Sequence, residues 1–176
     1  EREIEALADG LQACVARFVK RKGDNMRRII LFKLGEVALK GQNRRRFEKL
    51  LLDGVRRACA PFGDFHAYIA QSTGYVEPRD GAADVTAAYA ACKKVFGIST
   101  VCLAALCDKD MDAIYRTVDA FLGPRLREIR TFKVEAKRAD KQFPLRSPEI
   151  CAEMGGRLLG AFPHLKVDVR CPDAIV

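Results

Sequence analysis

The chain has 176 residues, 49% of them hydrophobic, which is enough to bury the core of one large domain or two small ones. Its 31 Lys and Arg against 23 Asp and Glu give a net charge of +8, which favours an anionic partner. Seven cysteines without a CxxC pair argue against a disulfide framework and a zinc site, and favour a reducing, cytoplasmic setting. The longest uncharged run, Val95 to Cys107, is shorter than the ~18 residues that span a bilayer, so we expect no membrane association.

The positive charge is concentrated in two segments. Residues 20–49 contain 11 basic and 3 acidic residues, and residues 125–146 contain 8 and 3. These segments carry +8 and +5, so the remainder of the chain carries −5. Localised positive charge of this kind is typical of a nucleic-acid-binding surface.

The first segment, residues 1–25, is predicted to be an amphipathic helix followed by a basic linker. Apolar residues recur three and four positions apart up to Phe18, and the breaker KRKGDN follows. This start predicts a charged helix rather than a signal peptide. The helix resembles the last helix of cysteine desulfurases; a packing helix and an upstream extension of the reading frame are the alternatives.

Residues 26–106 predict a ferredoxin-like domain. A strand begins at Arg28 and a helix follows Asn43; two strands then form a hairpin, with a turn at Ser72–Gly74. A second helix and a fourth strand, broken at Gly97, complete the segment. The order strand, helix, strand, strand, helix, strand is the split βαβ pattern.

The helix after Asn43 combines an apolar stripe with an unusual first turn. Its predicted buried residues are Phe47, Leu50, Leu51, Val55 and Cys59. Asn43 is predicted to cap the helix, and Arg44, Arg45 and Arg46 follow at the end where the macrodipole disfavours cations. Together with Lys40 they predict a docked anion, and a solvated basic face is the alternative reading for any single arginine.

Residues 107–176 predict a second, α/β domain. A helix from Asp108 is closed by Gly123–Pro124, a strand begins at Phe132, and another helix begins at Ser147–Pro148. The pair Gly155–Gly156 inside that helix predicts a close backbone contact. A strand over residues 165–170 precedes the start of a further strand at AIV, so we expect this domain to be incomplete at its C-terminus.

The segment FKVEAKRADKQFPLRS, residues 132–147, predicts a strand that positions a cationic loop. Phe132, Val134 and Ala136 alternate with charged residues, as in a half-buried strand. Such a loop is suited to binding phosphates. Phe143 is expected either to stack on an RNA base or to pin the loop to the core, and the second reading is favoured.

No catalytic constellation is found in these residues. The sequence contains no Ser/His/Asp set, no phosphate loop, no GxGxxG after a strand, no metal-ligand spacing and no SGGxDS-like adenylation loop. We therefore predict no catalytic residue, metal or cofactor within this chain, and leave open whether it is part of an enzyme.

Two long motifs resemble those of one enzyme family. KLGEVALKGQNRRRFEKLL (residues 33–51) resembles the opening motif of the ThiI-type tRNA sulfurtransferases, the tRNA 4-thiouridine synthetases, and FKVEAKRADKQFPLRSPEI (residues 132–150) resembles the central motif of their THUMP domain. KVFGIST and VDVRCPDAIV fall in matching order. The resemblance implies an α+β chain with a ferredoxin-like βαββαβ domain followed by a THUMP domain.

The resemblance also implies a function. The two domains would bind tRNA at its acceptor stem and CCA end, and a PP-loop domain, absent from these residues, would use ATP and Mg²⁺ to adenylate a uridine. A cysteine desulfurase would supply the sulfur; the family also serves thiamine thiazole synthesis, and a homodimer is compatible with this picture. The expected RNA-binding residues are Lys40, Asn43, Arg44, Arg45, Arg46, Lys133, Lys137, Arg138, Lys141, Phe143 and Arg146.

Two alternatives to the tRNA-binding region of a sulfurtransferase stay open. One is a THUMP module of another tRNA-modifying enzyme, acting in methylation or acetylation. A third reading is a ligand-sensing or protein-docking ferredoxin-like pair whose basic faces are only solvated.

Overall fold

A computed structural model describes residues 17–18, 27–35, 43–70, 72–138 and 140–176. The described residues divide into two compact units, one of residues 27–104 and one of residues 105–176 together with Arg17–Phe18. Most of the predicted N-terminal helix and linker, and Lys40, lie outside the described residues. Within the described part, no helix is long and apolar enough to cross a membrane.

The first unit has the predicted ferredoxin-like order of elements. Strand β1 (Arg17–Phe18) lies outside it, and its own elements are β2 (Arg28–Leu34), α1 (Arg44–Cys59), β3 (Phe65–Ala70), β4 (Thr73–Pro78), α2 (Val85–Cys92) and β5 (Ile98–Cys107), the last extending beyond residue 104. The strands are ordered β5-β2-β4-β3. The α+β class and the ferredoxin-like fold are therefore confirmed.

The hairpin turn differs by two residues from the prediction. Ala70 pairs with Thr73, so Thr73 and Gly74 belong to β4 rather than to the turn, and Ser72 has φ 62°. Gly74 lies in β4 opposite Phe32 of β2. A Cβ atom at Gly74 would lie 2.0 Å from Cζ of Phe32, so this glycine provides space for the ring rather than a turn.

The core of the first unit lies between its helices and the sheet. Leu51, Val55 and Cys59 of α1 are buried together with Phe32. Leu50 was predicted to belong to the same stripe, but 61% of it is exposed. With 3.6 residues per turn, Leu50 lies about 100° around the helix from the buried Leu51, and the three- and four-residue spacing alone does not decide burial there.

The second unit places two helices with a small parallel sheet. Its elements are α3 (Met111–Glu128), β6 (Thr131–Lys133), α4 (Ser147–Ala161), β7 (Lys166–Val167) and β8 (Ala174–Ile175). Strand β6 lies in the centre and pairs in parallel with β7 and β8. The strands are shorter than predicted, although the amide of Glu135 still donates to the carbonyl of Val176 at 2.8 Å.

The side chain of Asp173, just before β8, forms hydrogen bonds to the start of β6. The Asp173 Oδ2 atom accepts hydrogen bonds from the amides of Arg130 (3.0 Å) and Thr131 (2.9 Å), and from the Thr131 hydroxyl at 2.9 Å. The amide of Arg130, followed by the Thr131 amide and hydroxyl, lowers the pKa of Asp173. The segment before β8 is thereby attached to the start of β6.

Three other expectations are corrected in this unit. Helix α3 continues through Gly123–Pro124 to Glu128, because Leu126, 1% exposed, draws the last turn into the core. A Cβ atom at Gly155 or Gly156 would have no neighbour within 4 Å, so these glycines mark no close contact. Arg17–Phe18 forms a strand rather than a helix, because its backbone pairs in parallel with Leu106 and Cys107.

Candidate functional site

Helix α1 begins without acidic residues or a side-chain cap. Asn43 occupies the N-cap position, but its side chain makes no capping hydrogen bond, so the predicted cap is corrected. Its carbonyl accepts the amide of Phe47 at 3.0 Å. The amides of the first turn have no helical carbonyl before them, and this end of the helix therefore offers donors to an external anion.

The three arginines at this end differ in their surroundings. Arg44 donates through Nε to Oε1 of Glu48 at 2.7 Å and through Nη2 to the Ser72 hydroxyl at 3.2 Å. Arg45 and Arg46 are exposed, and neither forms an ion pair with a described residue. Charge that no described carboxylate compensates is thus concentrated in Arg45 and Arg46.

In the second unit, three cations of the predicted loop extend into solvent. Lys137, Lys141 and Arg146 are exposed and form no salt bridge with the described residues. Lys133, by contrast, lies 2.6 Å from Oε1 of Glu135. The loop therefore presents three uncompensated positive charges.

The acidic residues of this loop region have partners of their own. Lys109 binds Oδ2 of Asp140, and Oδ1 accepts the amide of Gln142 at 2.9 Å. The Lys109 side chain, followed by that amide, lowers the pKa of Asp140. Glu149 accepts the amide of Arg146 at 2.6 Å and forms no ion pair with the Arg146 guanidinium.

Two residues predicted to bind RNA take part in the packing of the loop. Arg138 donates through Nη1 to the carbonyls of Phe143 (3.2 Å) and Leu145 (3.5 Å), and its amide donates to the Ser147 hydroxyl at 3.2 Å. Phe143 is 6% exposed and belongs to the core of the second unit. The loop is pinned by Phe143 and braced by Arg138, so a base cannot stack on this ring.

The described cysteines differ in burial. All six are free, and Cys59 and Cys92 are buried with their sulfur atoms 3.4 Å apart. Burial raises the pKa of Cys102 and raises that of Cys107 to about 11. Because the thiolate is the nucleophile, Cys102 and Cys107 are poor candidates for carrying sulfur.

Comparison with known protein families gives two domains in the order that the sequence analysis predicts. Residues 29–102 match the ThiI ferredoxin-like domain and residues 108–176 match the THUMP domain. A probable tRNA sulfurtransferase of Alkaliphilus oremlandii is 38% identical over 154 residues, and one of Lachnoclostridium phytofermentans is 40% identical over 157. Each alignment covers 86% of this chain but 39% of the relative.

Two solved structures are similar to this chain over most of its length. The crystal structure of a 4-thiouridine synthetase–RNA complex with bound ATP matches 85% of this chain and 37% of that chain, with a TM-score of 0.70 and 28% identity. The structure of PH1313 from Pyrococcus horikoshii has a TM-score of 0.66 at 24% identity, covers 84% of this chain and 49% of that one, and supports the fold alone.

The matches define a class of protein in which a ferredoxin-like domain precedes a THUMP domain. Within that class, the chain belongs to the ThiI-type tRNA sulfurtransferase family, of whose members it spans about two fifths.

Proposed function

We propose that this chain is the tRNA-binding region of a tRNA sulfurtransferase and presents tRNA for ATP-dependent 4-thiouridine formation. The observation that carries the proposal is the uncompensated pair Arg45 and Arg46 at the amide end of α1, in a domain that matches the ThiI ferredoxin-like model. Backbone amides and arginines together bind phosphate oxygens. Lys137, Lys141 and Arg146 provide a second group of phosphate ligands in the THUMP domain.

The remaining steps require residues outside this chain. ATP and Mg²⁺ would bind a PP-loop domain, and a cysteine desulfurase would deliver the sulfur that replaces the uridine oxygen. We place this reaction in the cytoplasm, in agreement with the six free cysteines among the described residues. A contribution to thiamine thiazole synthesis and assembly as a homodimer belong to the same proposal.

Binding of a tRNA transcript, measured by fluorescence anisotropy, tests the role of α1. Arg45→Glu and Arg46→Glu are each compared with Arg57→Glu, which makes the same charge change at the opposite end of the helix. We expect the first two to weaken binding at least tenfold and Arg57→Glu to change it less than threefold. Equal effects at all three positions would show a response to net charge and contradict a phosphate site on α1.

Two further measurements test the substrate. Removal of the CCA end should weaken binding, and equal affinity for trimmed and intact tRNA would contradict recognition of that end. Mass spectrometry of tRNA from a strain lacking the gene should show loss of 4-thiouridine. Loss of a methylated or acetylated nucleoside instead would assign the chain to another THUMP enzyme, which the ThiI ferredoxin-like match argues against.

A further inference from the structure

Phe96 is the most exposed large hydrophobic side chain among the described residues, at 93%. It lies in the turn between α2 and β5, within the segment KVFGIST. Single exposed apolar residues are common on protein surfaces. What distinguishes Phe96 is the rigidity of its turn and the charge around it.

The residues on both sides of Phe96 are fixed against α1. A Cβ atom at Gly54 would lie 3.4 Å from Cγ1 of Val95. Gly97 has φ +94°, and a Cβ atom there would lie 2.8 Å from Cζ of Phe47. The carbonyl of Gly97 also accepts the amide of Gly35 at 3.0 Å. The turn therefore has little freedom, and the residue at its centre stays in solvent.

Cations lie near Phe96 in the sequence and on the helix that its turn contacts. Lys93 and Lys94, three and two residues before it, are exposed. On α1, the exposed Leu50 lies between Phe47 and Gly54, the two positions on which the turn rests, and Arg46 and Lys49 flank it.

Among the residues that the structure describes, no carboxylate forms an ion pair with these lysines or with Arg46. From Val85 through Cys107 the sequence has no Asp or Glu. The two acidic residues of α1 have their own partners: Glu48 pairs with Arg44, and Asp53 with Arg56 at 3.1 Å.

We propose that Phe96 stacks on an unpaired base of the bound RNA while Lys93 and Lys94 bind the adjacent phosphates. An aromatic ring held in a basic surface matches the chemistry of single-stranded RNA, in which bases stack and phosphates pair with cations. A protein partner would need a contiguous apolar area much larger than one Phe and one Leu. The inference rests on the proposed function, and it provides the exposed aromatic that Phe143 does not.

The test compares Phe96→Ala, Phe96→Leu and Phe96→Trp with Val169→Ala, a control at a 71% exposed position in the other unit. The probes are a tRNA transcript with its single-stranded CCA end and a blunt RNA duplex of the acceptor-stem sequence. Phe96→Ala and Phe96→Leu should weaken tRNA binding about 5- to 150-fold, whereas Phe96→Trp should retain it. Val169→Ala should bind tRNA with the affinity of the wild type. The blunt duplex should bind to the wild type and to all of these variants with the same affinity.

The opposing outcomes are distinct. If Phe96→Ala binds tRNA as the wild type does while Arg45→Glu does not, the stacking inference is wrong and the proposed function stands. If neither variant affects binding, the proposed function itself fails. If Phe96→Leu binds tRNA with full affinity, the contact is apolar and base stacking is excluded. If Phe96→Ala leaves tRNA binding unchanged and lowers only the molar mass measured by light scattering, Phe96 contacts another protein molecule and base stacking is likewise excluded. Thermal melts verify that each variant is folded.

Discussion

Arg44 and Arg45 are neighbours in the sequence, and only their surroundings separate their roles. Glu48, one helical turn ahead, and Ser72, from the hairpin, engage Arg44, whereas Arg45 faces solvent. The sequence predicts the i, i+4 pair with Glu48. It contains no signal for Ser72, because that contact depends on how the hairpin turn folds back to the helix.

At Gly74, the structure predicts a large effect from one methyl group. Gly74→Ala would place a Cβ atom inside the Phe32 ring, so we expect it to lower the free energy of unfolding by about 1–3 kcal/mol. The matched control is Gly156→Ala, where a Cβ atom would have nothing within 4 Å. There the higher helix propensity of alanine should raise the free energy of unfolding by as much as about 1 kcal/mol. Urea unfolding measures both, and equal effects would contradict the close packing at Gly74.

Asp173 makes a pH-dependent contribution to the second unit. Its pKa is lowered in the folded state, so its stabilising effect is fully present above the unfolded value of about 3.9 and is lost as the pH falls through the folded pKa. We expect Asp173→Asn to be less stable than the wild type at pH 7, and the difference to shrink below pH 4. Unfolding curves between pH 3 and pH 7 check this. A difference independent of pH would exclude a role for the carboxylate charge.

At the scale of elements, α1 shows where sequence reasoning succeeds and where it stops. The spacing of Leu51, Val55 and Cys59 predicts the buried face, and the structure confirms it. The end of α3 was predicted wrongly, because a Gly-Pro pair normally terminates a helix. Here the burial of Leu126 outweighs that local preference, and such tertiary contacts are not visible in a sequence window.

Helix α1 also predicts opposite changes in stability and binding. Arg45→Glu replaces a cation at the positive end of the macrodipole with an anion, so we expect it to stabilise the protein by about 0.3–1 kcal/mol while it weakens tRNA binding. Arg57→Glu makes the same charge change near the other end, where the dipole favours cations, and should be slightly destabilising. Thermal melts at low salt measure the sign. Destabilisation by Arg45→Glu would mean that the arginine serves the fold.

For the whole molecule, composition and two motifs predict the class of the chain and the order of its two folds. They do not predict which cations are free. Of the loop residues expected to bind RNA, Arg138 and Phe143 are used by the fold and Lys133 is paired, and only the packed loop reveals these contacts. Phe96 was not among the predicted site residues, because its exposure depends on how the turn packs against α1.

Both cationic groups are expected to act on one RNA. Each cation that no longer binds a phosphate should reduce the slope of log affinity against log salt by about 0.9 for duplex RNA and about 0.7 for single strands, as for DNA. Arg45→Glu and Lys137→Glu should each reduce that slope, and the double variant should show the sum. Two outcomes would show that the two groups do not bind the same RNA molecule. In one, a single variant already removes the whole salt dependence; in the other, the double variant binds tRNA with the same affinity as the single variant of lower affinity.

The open start of α1 also makes occupancy of this site directly visible. The amides of Arg44, Arg45 and Arg46 have no helical acceptor, so in the free protein they should take up deuterium from solvent quickly. A phosphate seated there would accept hydrogen bonds from them and slow that uptake, whereas Leu51, Val55 and Cys59, deep in the same helix, should be unaffected. Three adjacent backbone positions would then report on RNA docking in a protein that needs no mutation or label.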